Sequence, residues 1–484
     1  MNELPQGWTV TSLINLLLTL RDGTHTPPKR TTLGVPLLSA RNVQNGHIEW
    51  NEAYSYISPE DYQGIQRTNP VSEGDVLLSI VGSIGRSCVN RTANRFTLQR
   101  SVAIAKPDSR LIDSDHLSFL FRAPQFQAAL ENLASGTAQR GVYLGALKKI
   151  LLPLAPLNEQ RRIVAKLEKF MGRVNAAQER LATIPRILRR FRQSVLAAAS
   201  CGNLTADWRE QNPNAQSALE LMGLITKTRE LKKSLETIEA GESPDEVPTK
   251  WVWIRFGSVI KELRNGISIR PNIEEPGTPI LRINAARSGR IDLNEVRFLK
   301  NGGDYLPEYG LKDGDLLFTR YNGSLELLGV CGMVRGLGNS IRLYPDKLMR
   351  VRFDHRFVLP EYAEIFFQAP DVHERVIAKS KSSAGQNGVS GSDIKAQAFA
   401  LVPFEEQEEI VRRVDALFKT ADALEARYLK AKSHVDKLTQ SILAKAFRGE
   451  LVPQDPNDEP ASVLLKRNTG EPNGSAVVKR RSRK

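Results

Sequence analysis

The chain has little of what secreted, metal-binding or membrane proteins depend on. Its three cysteines are far apart and odd in number, which excludes a disulfide framework and favours a reducing compartment. Its six histidines are scattered without zinc-ligand spacing, so no metal site is predicted. The longest early apolar run, residues 13–20, is interrupted by Asn15 and Thr19 and is too short to span a bilayer. The start of the chain lacks a signal-peptide pattern, so we expect a cytoplasmic protein.

Motifs for catalysis are also missing. No Gly-Lys dipeptide occurs, which excludes a phosphate-binding P-loop, and no predicted strand is followed by Gly-x-Gly-x-x-Gly. The Asn/Asp-Pro-Pro-aromatic signature of amino-methyltransferases is absent. A loose nuclease-like pattern, Asp371 with Asp393 and Lys395, has no acid at the corresponding place nearer the N-terminus, Ala146-Leu147-Lys148. We therefore predict no catalytic residue and interpret Asp393 as a cap or turn residue.

Positive charge is in excess. The 484 residues include 68 Lys and Arg against 54 Asp and Glu, for a net charge of +14. Because each basic side chain placed on a phosphate releases condensed counterions, this balance favours a polyanionic partner. A merely soluble basic surface would give the same count, so charge alone does not decide the function. The apolar fraction of 41% is typical of a globular protein, and the length allows two or more domains.

The sequence repeats itself once. Trp8 recurs as Trp251, and residues 35–38 recur as 278–281, both 243 residues on. Residues 193–197 match 440–444 at a separation of 247, and this separation is constant from Gln139 onward. An unchanging register indicates a rigid element whose length matters, and we expect it to set the distance between the two halves.

That rigid element is predicted to be a long helix in each half. Apolar residues recur at alternate spacings of four and three, which is the 3.5-residue period of a coiled coil. Each helix follows a proline, has acids in its first turn and ends at a glycine. Pro185 is expected to kink or break the first helix near Thr183. The predicted seam consists of Ile163, Leu167, Phe170, Val174, Leu181, Leu188, Ile410, Val414, Leu417, Leu424, Tyr428, Val435 and Leu438.

The rest of each half mixes strand and helix patterns. Residues 35–50 and 278–293 are predicted to be strand, turn and strand, and residues 117–133 and 360–377 to be helices on the sheet. The expected fold class is α+β, with two similar domains separated by two long antiparallel coiled-coil helices in a pseudo-two-fold repeat. The boundaries are 1–155 for the first domain, 156–202 for the first helix, 203–246 for a polar linker with a short helix, 247–402 for the second domain, 403–449 for the second helix, and 450–484 for a polar, basic tail.

Polar and basic residues follow the repeated strands. Arg and Lys pair with guanine in the major groove, and Asn and Gln pair with adenine, so these side chains are candidate DNA contacts. An exposed Arg or Asn is also an ordinary surface residue. The candidates are Arg41, Asn42, Ser83, Arg86, Gln139 and Arg140 in the first half, and Arg282, Asn284, Arg287, Arg320, Tyr321, Asn322, Ser324, Gln386 and Asn387 in the second.

The two-copy layout resembles the specificity subunit of type I restriction–modification enzymes. The resemblance covers nearly the whole chain and is carried by the opening Leu-Pro-x-Gly-Trp, by residues 156–164 at the start of the first helix, and by residues 439–451. It implies that each repeat is a target-recognition domain and that each reads one half of a split site in double-stranded DNA. Pro185, which has no counterpart in the second helix, departs from the repeat.

The resemblance also implies partners. Two methyltransferase subunits would bind the helical regions, and restriction subunits would join to form the nuclease used in phage defence. S-adenosylmethionine, ATP and Mg²⁺ would then belong to those partners, and this subunit would be non-catalytic. Two alternatives remain at this stage: a free-standing nuclease, which would need a cluster of metal-binding acids, and a repressor-like DNA-binding protein, which would need a helix-turn-helix in each half.

Overall fold

A computed structural model describes residues 4–24, 28–136, 140–229, 246–271, 277–287, 289–383 and 386–469, together with residues 235, 237, 238 and 244. The chain divides into two compact units. Unit 1 consists of Met1–Ala182 with Leu429–Lys484, and unit 2 consists of Thr183–Tyr428. Each unit therefore contains one repeat domain and a part of each long helix.

The first half of the chain ends in a helix of 44 residues. Its strands are β1 Thr9–Ser12, β2 Leu17–Asp22, β3 Val35–Leu38, β4 Val43–Gln44, β5 His47–Ile48, β6 Ser55–Ile57, β7 Val76–Ser79, β8 Ser87–Val89, β9 Thr97–Leu98, β10 Val102–Pro107 and β11 Leu151–Leu154. Its helices are α1 Pro59–Thr68, α2 Ser114–Phe121, α3 Pro124–Leu133, α4 Leu144–Leu147 and α5 Leu157–Ser200.

The second half also ends in a long helix, of 43 residues, which is followed by a short tail helix. After α6 Ala206–Gln211 and α7 Ala218–Thr228, its strands are β12 Val252–Arg255, β13 Ile260–Asn265, β14 Thr278–Leu281, β15 Val296–Leu299, β16 Leu316–Thr319, β17 Tyr321–Asn322, β18 Cys331–Met333, β19 Leu348–Phe353, β20 Lys381–Ser383, β21 Gln386–Gly388 and β22 Ala398–Leu401. Its other helices are α8 Leu306–Tyr309, α9 Pro360–Gln368, α10 Pro370–Ala378, α11 Gly391–Lys395, α12 Phe404–Ala446 and α13 Ala461–Thr469.

Each domain is built on its own central sheet, and the two sheets have corresponding strand orders. In unit 1 a four-stranded sheet has the order β2-β10-β7-β8, and in unit 2 the corresponding order is β13-β19-β16-β18. Every pairing in both sheets is antiparallel. The first and last strands of each domain form a separate pair, β1-β11 and β12-β22. The repeated α+β fold predicted from the sequence is therefore confirmed.

Proline positions correct two of the predicted helices. Residues 117–133 and 360–377 each form two helices that are separated at Ala123-Pro124 and Ala369-Pro370. Both alanines are extended, with ψ of 144° and 135°, because the ring of a following proline disfavours the helical conformation. Each proline then begins the next helix, where its missing N–H costs nothing.

The predicted strand, turn and strand arrangements are also only partly right. In unit 1, β3 pairs with β6 and β9 instead of with the short β4-β5 hairpin that follows it. In unit 2, β14 pairs with β15, and the segment between them contains a 3₁₀ helix, Ile283–Ala286. The segments that follow β3 and β14 are thus longer than a simple hairpin turn, and they carry several candidate DNA contacts.

The long helices begin and end within three residues of the prediction. They run antiparallel within each unit. In unit 1 the end of α12, with Leu443 and Ala446, belongs to the same core as the start of α5, and Gln178 contacts Asp436. In unit 2 the end of α5, with Val195 and Leu196, belongs to the same core as the start of α12, and Arg192 contacts Asp422. Pro185 lies inside α5, which is continuous from Leu157 to Ser200, so the predicted break is wrong. One missing N–H does not end this helix, because most helical stability comes from packing along its length, and Leu188 and Val195 beyond the proline are buried.

The start of each long helix is buried in the core of the domain that precedes it. Ile163 and Leu167 belong to the core of unit 1, and Ile410 and Val414 belong to the core of unit 2. Leu424 and Leu438, by contrast, are 46% and 49% exposed, which does not fit the buried seam predicted there. The 3.5-residue pattern therefore includes both buried and exposed positions. A residue near the start of a helix packs on its domain, whereas a residue farther along has mainly the other helix beside it.

A buried polar anchor fixes the start of each long helix. The indole N–H of Trp8 donates to Glu159 over 3.0 Å, and that of Trp251 donates to Glu406 over 2.8 Å. The next residue in each helix is a fully buried glutamine. Gln160 accepts from the N–H of Asp113 and donates to the carbonyls of Leu111 and Ala155. Gln407 makes the same three bonds with Leu359, Phe357 and Val402.

No helix in the described part of the chain combines the length and the apolar character needed to cross a membrane.

Replacing Gln407 by alanine is expected to destabilise unit 2 strongly. Its amide satisfies one N–H and two carbonyls inside the core, and a buried group left without a partner costs about 1–3 kcal/mol. Urea unfolding followed by tryptophan fluorescence should show the transition of unit 2 weakened by about 3 kcal/mol or more. Gln440→Ala, at an exposed position of the same helix, is the control and should change stability by less than about 0.5 kcal/mol. Equal stability of the two variants would show that the anchor does not hold the helix start.

Candidate nucleic-acid interface

In unit 2, several of the predicted contacts line one groove. The groove has a volume of about 280 Å³ and lies where β16 leaves the central sheet. Strand β17 pairs with β21 here, with Tyr321 opposite Gly388 and Asn322 opposite Asn387. The residues that line the groove are Ile283, Asn284, Ala286, Arg287, Thr319, Tyr321, Asn322, Gly323, Leu327 and Lys347.

Tyr321 is held in place by cations and by a glycine. The guanidinium carbon of Arg320 lies 4.7 Å from the ring centroid, and the Nζ of Lys347 lies 4.9 Å from it. A Cβ added to Gly388 would lie 2.7 Å from the ring atom Cε1, so only glycine leaves room for this ring position. Cation–π contacts of this kind contribute about 0.5–1 kcal/mol each at exposed sites. The ring is therefore positioned before any ligand arrives.

The amide groups of the groove each have an oxygen that accepts a bond from the protein. Arg287 Nη2 donates to Asn284 Oδ1 over 2.8 Å, and the backbone N–H of Ser324 donates to Asn322 Oδ1 over 3.0 Å. Each side chain also carries an NH₂ group, which is a donor for a ligand.

The other candidates of unit 2 lie around this groove. Arg282 pairs with Glu295 at 3.2 Å at the exposed rim. Ser324 is exposed, and Asn387 is half-buried on β21. Gln386 belongs to the same strand, but its side chain lies outside the described residues.

Unit 1 has the same backbone pairings at this place, with different side chains. We call these pairings the backbone frame: the bridge to Gly141 or Gly388 and the bond to the carbonyl of Ser101 or Lys347. Ser83 and Arg86 lie in the loop between β7 and β8, and Val81 is bridged to Gly141 in the way that Tyr321 is bridged to Gly388. The N–H of Gly82 donates to the carbonyl of Arg140, which brings this residue beside the loop. The guanidinium of Arg140 pairs with Glu131 at 2.6 Å. Gln139 lies outside the described residues.

The two neighbours Arg41 and Asn42 differ in the exposure of their side chains. Arg41 is exposed, as predicted for a DNA contact. Asn42 has 0% exposure: its side chain accepts from the N–H of Ser39 and donates to the carbonyls of Glu49 and Glu52. The hypothesis that Asn42 contacts bases is therefore corrected, because its amide is used entirely to hold the loop together.

Lys347 was missed by the sequence reasoning. It precedes β19, and its carbonyl accepts from the N–H of Arg320 over 2.8 Å. Ser101 takes the same place in unit 1, where its carbonyl accepts from the N–H of Ile80 over 2.9 Å. A basic residue at the start of a repeated strand was a usable signal, but only the structure shows that this lysine reaches the ring of Tyr321.

The acids of the loose nuclease-like pattern are engaged separately. Asp371 pairs with Arg375 one helical turn away at 3.0 Å. Asp393 forms a capping box with Ser390 at the start of α11, which confirms its interpretation as a cap residue. Bonds from Ser390 are the main reason why the pKa of Asp393 is lowered. Within the described residues, no group of three or more His, Cys, Asp or Glu side chains is placed to hold a metal ion.

Comparison with known proteins gives consistent matches. The family model described as the type I restriction modification DNA specificity domain matches residues 38–186. The type I restriction enzyme EcoKI specificity subunit of Escherichia coli (strain K12) is 33% identical over 487 residues, covering 99% of this chain and 95% of that protein. The StySPI specificity subunit of Salmonella potsdam is 27% identical, covering 93% and 91%.

Two solved structures share the fold. One, from work on complex assembly and conformational transition of the type I R-M system, has a TM-score of 0.61 at 20% identity and covers 93% of this chain and 100% of its own. The HsdS subunit from Thermoanaerobacter tengcongensis has a TM-score of 0.50 at 18% identity, covering 93% and 98%. Since a relative of 33% identity spans nearly the entire sequence, this chain belongs to the family of type I restriction enzyme specificity subunits.

Proposed function

We propose that this protein reads a bipartite DNA site for a type I restriction–modification complex, with one half-site for each recognition domain. One observation carries the proposal: the two units present the same backbone frame but different side chains at corresponding positions. Val81 and Ser101 in unit 1 stand where Tyr321 and Lys347 stand in unit 2. A shared frame with exchanged side chains suits two domains that approach DNA alike and read different bases.

The charge of the chain suits this role. A net charge of +14 supplies the sequence-independent attraction to phosphates, and the groove of unit 2 adds guanidinium, ammonium and amide donors at one place. Binding should therefore weaken steeply as salt concentration rises, whereas discrimination between base sequences should depend on the groove residues.

The chemistry of the complex would belong to its partners. We propose that two methyltransferase subunits, with S-adenosylmethionine, dock on the helical regions, and that restriction subunits bring ATP and Mg²⁺. Exposed apolar side chains on the two long helices support such docking: Ile187, Leu424, Leu429 and Leu438 are 46–58% exposed. The subunit itself would be non-catalytic, and the complex would act on DNA in the cytoplasm as a defence against phage.

The alternatives are not favoured. A free-standing nuclease would need clustered acids, and Asp371 and Asp393 are bonded to different neighbours. A repressor-like protein would need a helix-turn-helix in each half, whereas each half is built around a four-stranded antiparallel sheet. The relative that spans 99% of the chain is a specificity subunit, not a member of either class.

Co-expression with the methyltransferase subunit of its own system tests the proposal. Methylation mapped across a host genome should reveal one motif with two specified halves and an unspecified gap, present only when this chain is made. The purified chain alone should neither transfer methyl groups nor hydrolyse ATP nor cut DNA. Mg²⁺-dependent cleavage by the isolated chain that disappears in Asp371→Ala would contradict the proposal.

Arg41 and Asn42 should respond differently to alanine substitution. Arg41→Ala should lower DNA affinity without changing the melting temperature. If the side chain contacts a phosphate of the DNA, the dependence of affinity on salt concentration should fall by about one phosphate contact. Asn42→Ala removes three buried bonds, so it should lower the melting temperature by about 2–4 °C for each kcal/mol lost in a domain of this size. Thermal melting and binding titrations at several salt concentrations measure both effects. A stable Asn42→Ala variant with relaxed base preference would restore Asn42 as a reader.

A further inference from the structure

We infer that the groove of unit 2 reads the major-groove edge of a guanine, with Arg287 as the contacting residue. This rests on the proposed function and names the base that one half-site must contain at this contact. It concerns unit 2 alone, because the corresponding positions of unit 1 carry different chemistry.

The polar groups that line the groove are almost all donors. Arg287 is exposed, and the partner seen for its guanidinium is a neutral amide oxygen, that of Asn284, so this contact leaves its charge uncompensated. Asn284 and Asn322 add NH₂ donors, and the oxygen of each already accepts one bond from the protein. Lys347 adds an ammonium group, and the hydroxyl of Tyr321 is able to donate.

No carboxylate lines this groove among the described residues. Asp292 and Glu295 line the adjoining cavity with Arg287 and Arg290, and both already accept bonds. Asp292 accepts from the N–H of Asn294 over 2.9 Å, and Glu295 accepts from Arg282 over 3.2 Å. With a guanidinium and an ammonium group and no carboxylate, the groove is suited to a ligand that presents acceptors.

Only one base meets this requirement with two polar atoms. Guanine presents the acceptors N7 and O6, whereas adenine and cytosine each present an amino donor, and thymine presents one acceptor beside a methyl group. An amino group facing Arg287 and two amide NH₂ groups would lose its bond to water without gaining an acceptor. Phosphate oxygens share the acceptor chemistry, so the test has to separate a base contact from a backbone contact.

Unit 1 carries different side chains at these positions, with Arg41 in the place of Asn284 at the 243-residue separation of the repeat. Val81 and Ser101 replace Tyr321 and Lys347, and the hydroxyl of Ser101 accepts from the N–H of Ala40 over 3.1 Å. At the 243-residue separation of the repeat, Gln44 takes the place of Arg287, and its amide donates to the carbonyl of Arg41 over 3.0 Å. Gln44→Ala is therefore the matched control for Arg287→Ala.

The experiment uses the full chain assembled with its methyltransferase subunits and duplexes that carry the mapped methylation motif. Each guanine of the motif is replaced in turn by 7-deazaguanine, which lacks the N7 acceptor but keeps normal pairing and a normal phosphate. At one guanine, this replacement should weaken binding by the wild-type complex about tenfold. The Arg287→Ala complex should bind the normal and the substituted duplex equally at that position, whereas the Gln44→Ala complex should keep the full tenfold sensitivity.

Two outcomes would overturn the inference. If Arg287→Ala weakens binding but leaves the sensitivity to 7-deazaguanine unchanged at every position, the side chain contacts a phosphate. If Arg287→Ala changes neither affinity nor sensitivity, the groove does not meet the DNA. In both cases the wild-type complex would still methylate its bipartite motif, so the proposed function would stand. Absence of any bipartite motif would instead remove the proposed function and the inference together.

Discussion

The structure depends on how each recognition domain is joined to a long helix, and that joint is a buried polar anchor. Trp8 with Glu159, and Trp251 with Glu406, tie the start of each domain to the first turn of its helix. Gln160 and Gln407 then satisfy three backbone groups of their domains. Glu159 and Glu406 are buried, and burial raises the pKa of Glu159 more than the bonds from Gln454 and Trp8 lower it. Buried polar groups tolerate little displacement, because a stretched bond there has no water to replace it. The anchor therefore fixes the direction in which each helix leaves its domain.

A fixed joint explains how variable recognition is compatible with a constant frame. The bridges Val81–Gly141 and Tyr321–Gly388, and the bonds to the carbonyls of Ser101 and Lys347, depend on backbone atoms alone. Side chains on this frame are able to differ, since these pairings do not involve them, although Val81 also packs against the core of unit 1. Val81 and Tyr321 show the range that one position accepts, from an aliphatic side chain to an aromatic ring held by two cations. Each domain thus changes what it reads without changing how it attaches to its helix.

The sequence predicted the repeat, the α+β class and the long helices, because these depend on periodic patterns that extend over many residues. It also named Asn284, Arg287, Tyr321 and Asn322 as candidate contacts, since each follows a repeated strand, but only the structure shows that they line one groove. It did not predict that Asn42 is buried, because its bonds to one N–H and two carbonyls depend on a loop conformation that is not encoded locally. Lys347 was missed since its role arises only beside the ring of Tyr321. The uninterrupted helix through Pro185 and the exposure of Leu424 and Leu438 depend on packing, which a 3.5-residue pattern does not report.

The central claim is that two separately anchored domains read two halves of one site. Its most direct test exchanges residues 247–402 for the corresponding domain of a relative that has a different site but keeps a tryptophan at the position of Trp251. Glu406, Gln407 and both long helices stay in place, so the anchor of unit 2 is able to form again. Genome-wide methylation mapping of the exchanged protein with its methyltransferase subunits is the measurement. The account predicts that one half of the methylated motif changes to that of the donor, while the other half and the length of the gap stay the same. A motif altered in both halves, or a changed gap between unchanged halves, would contradict it.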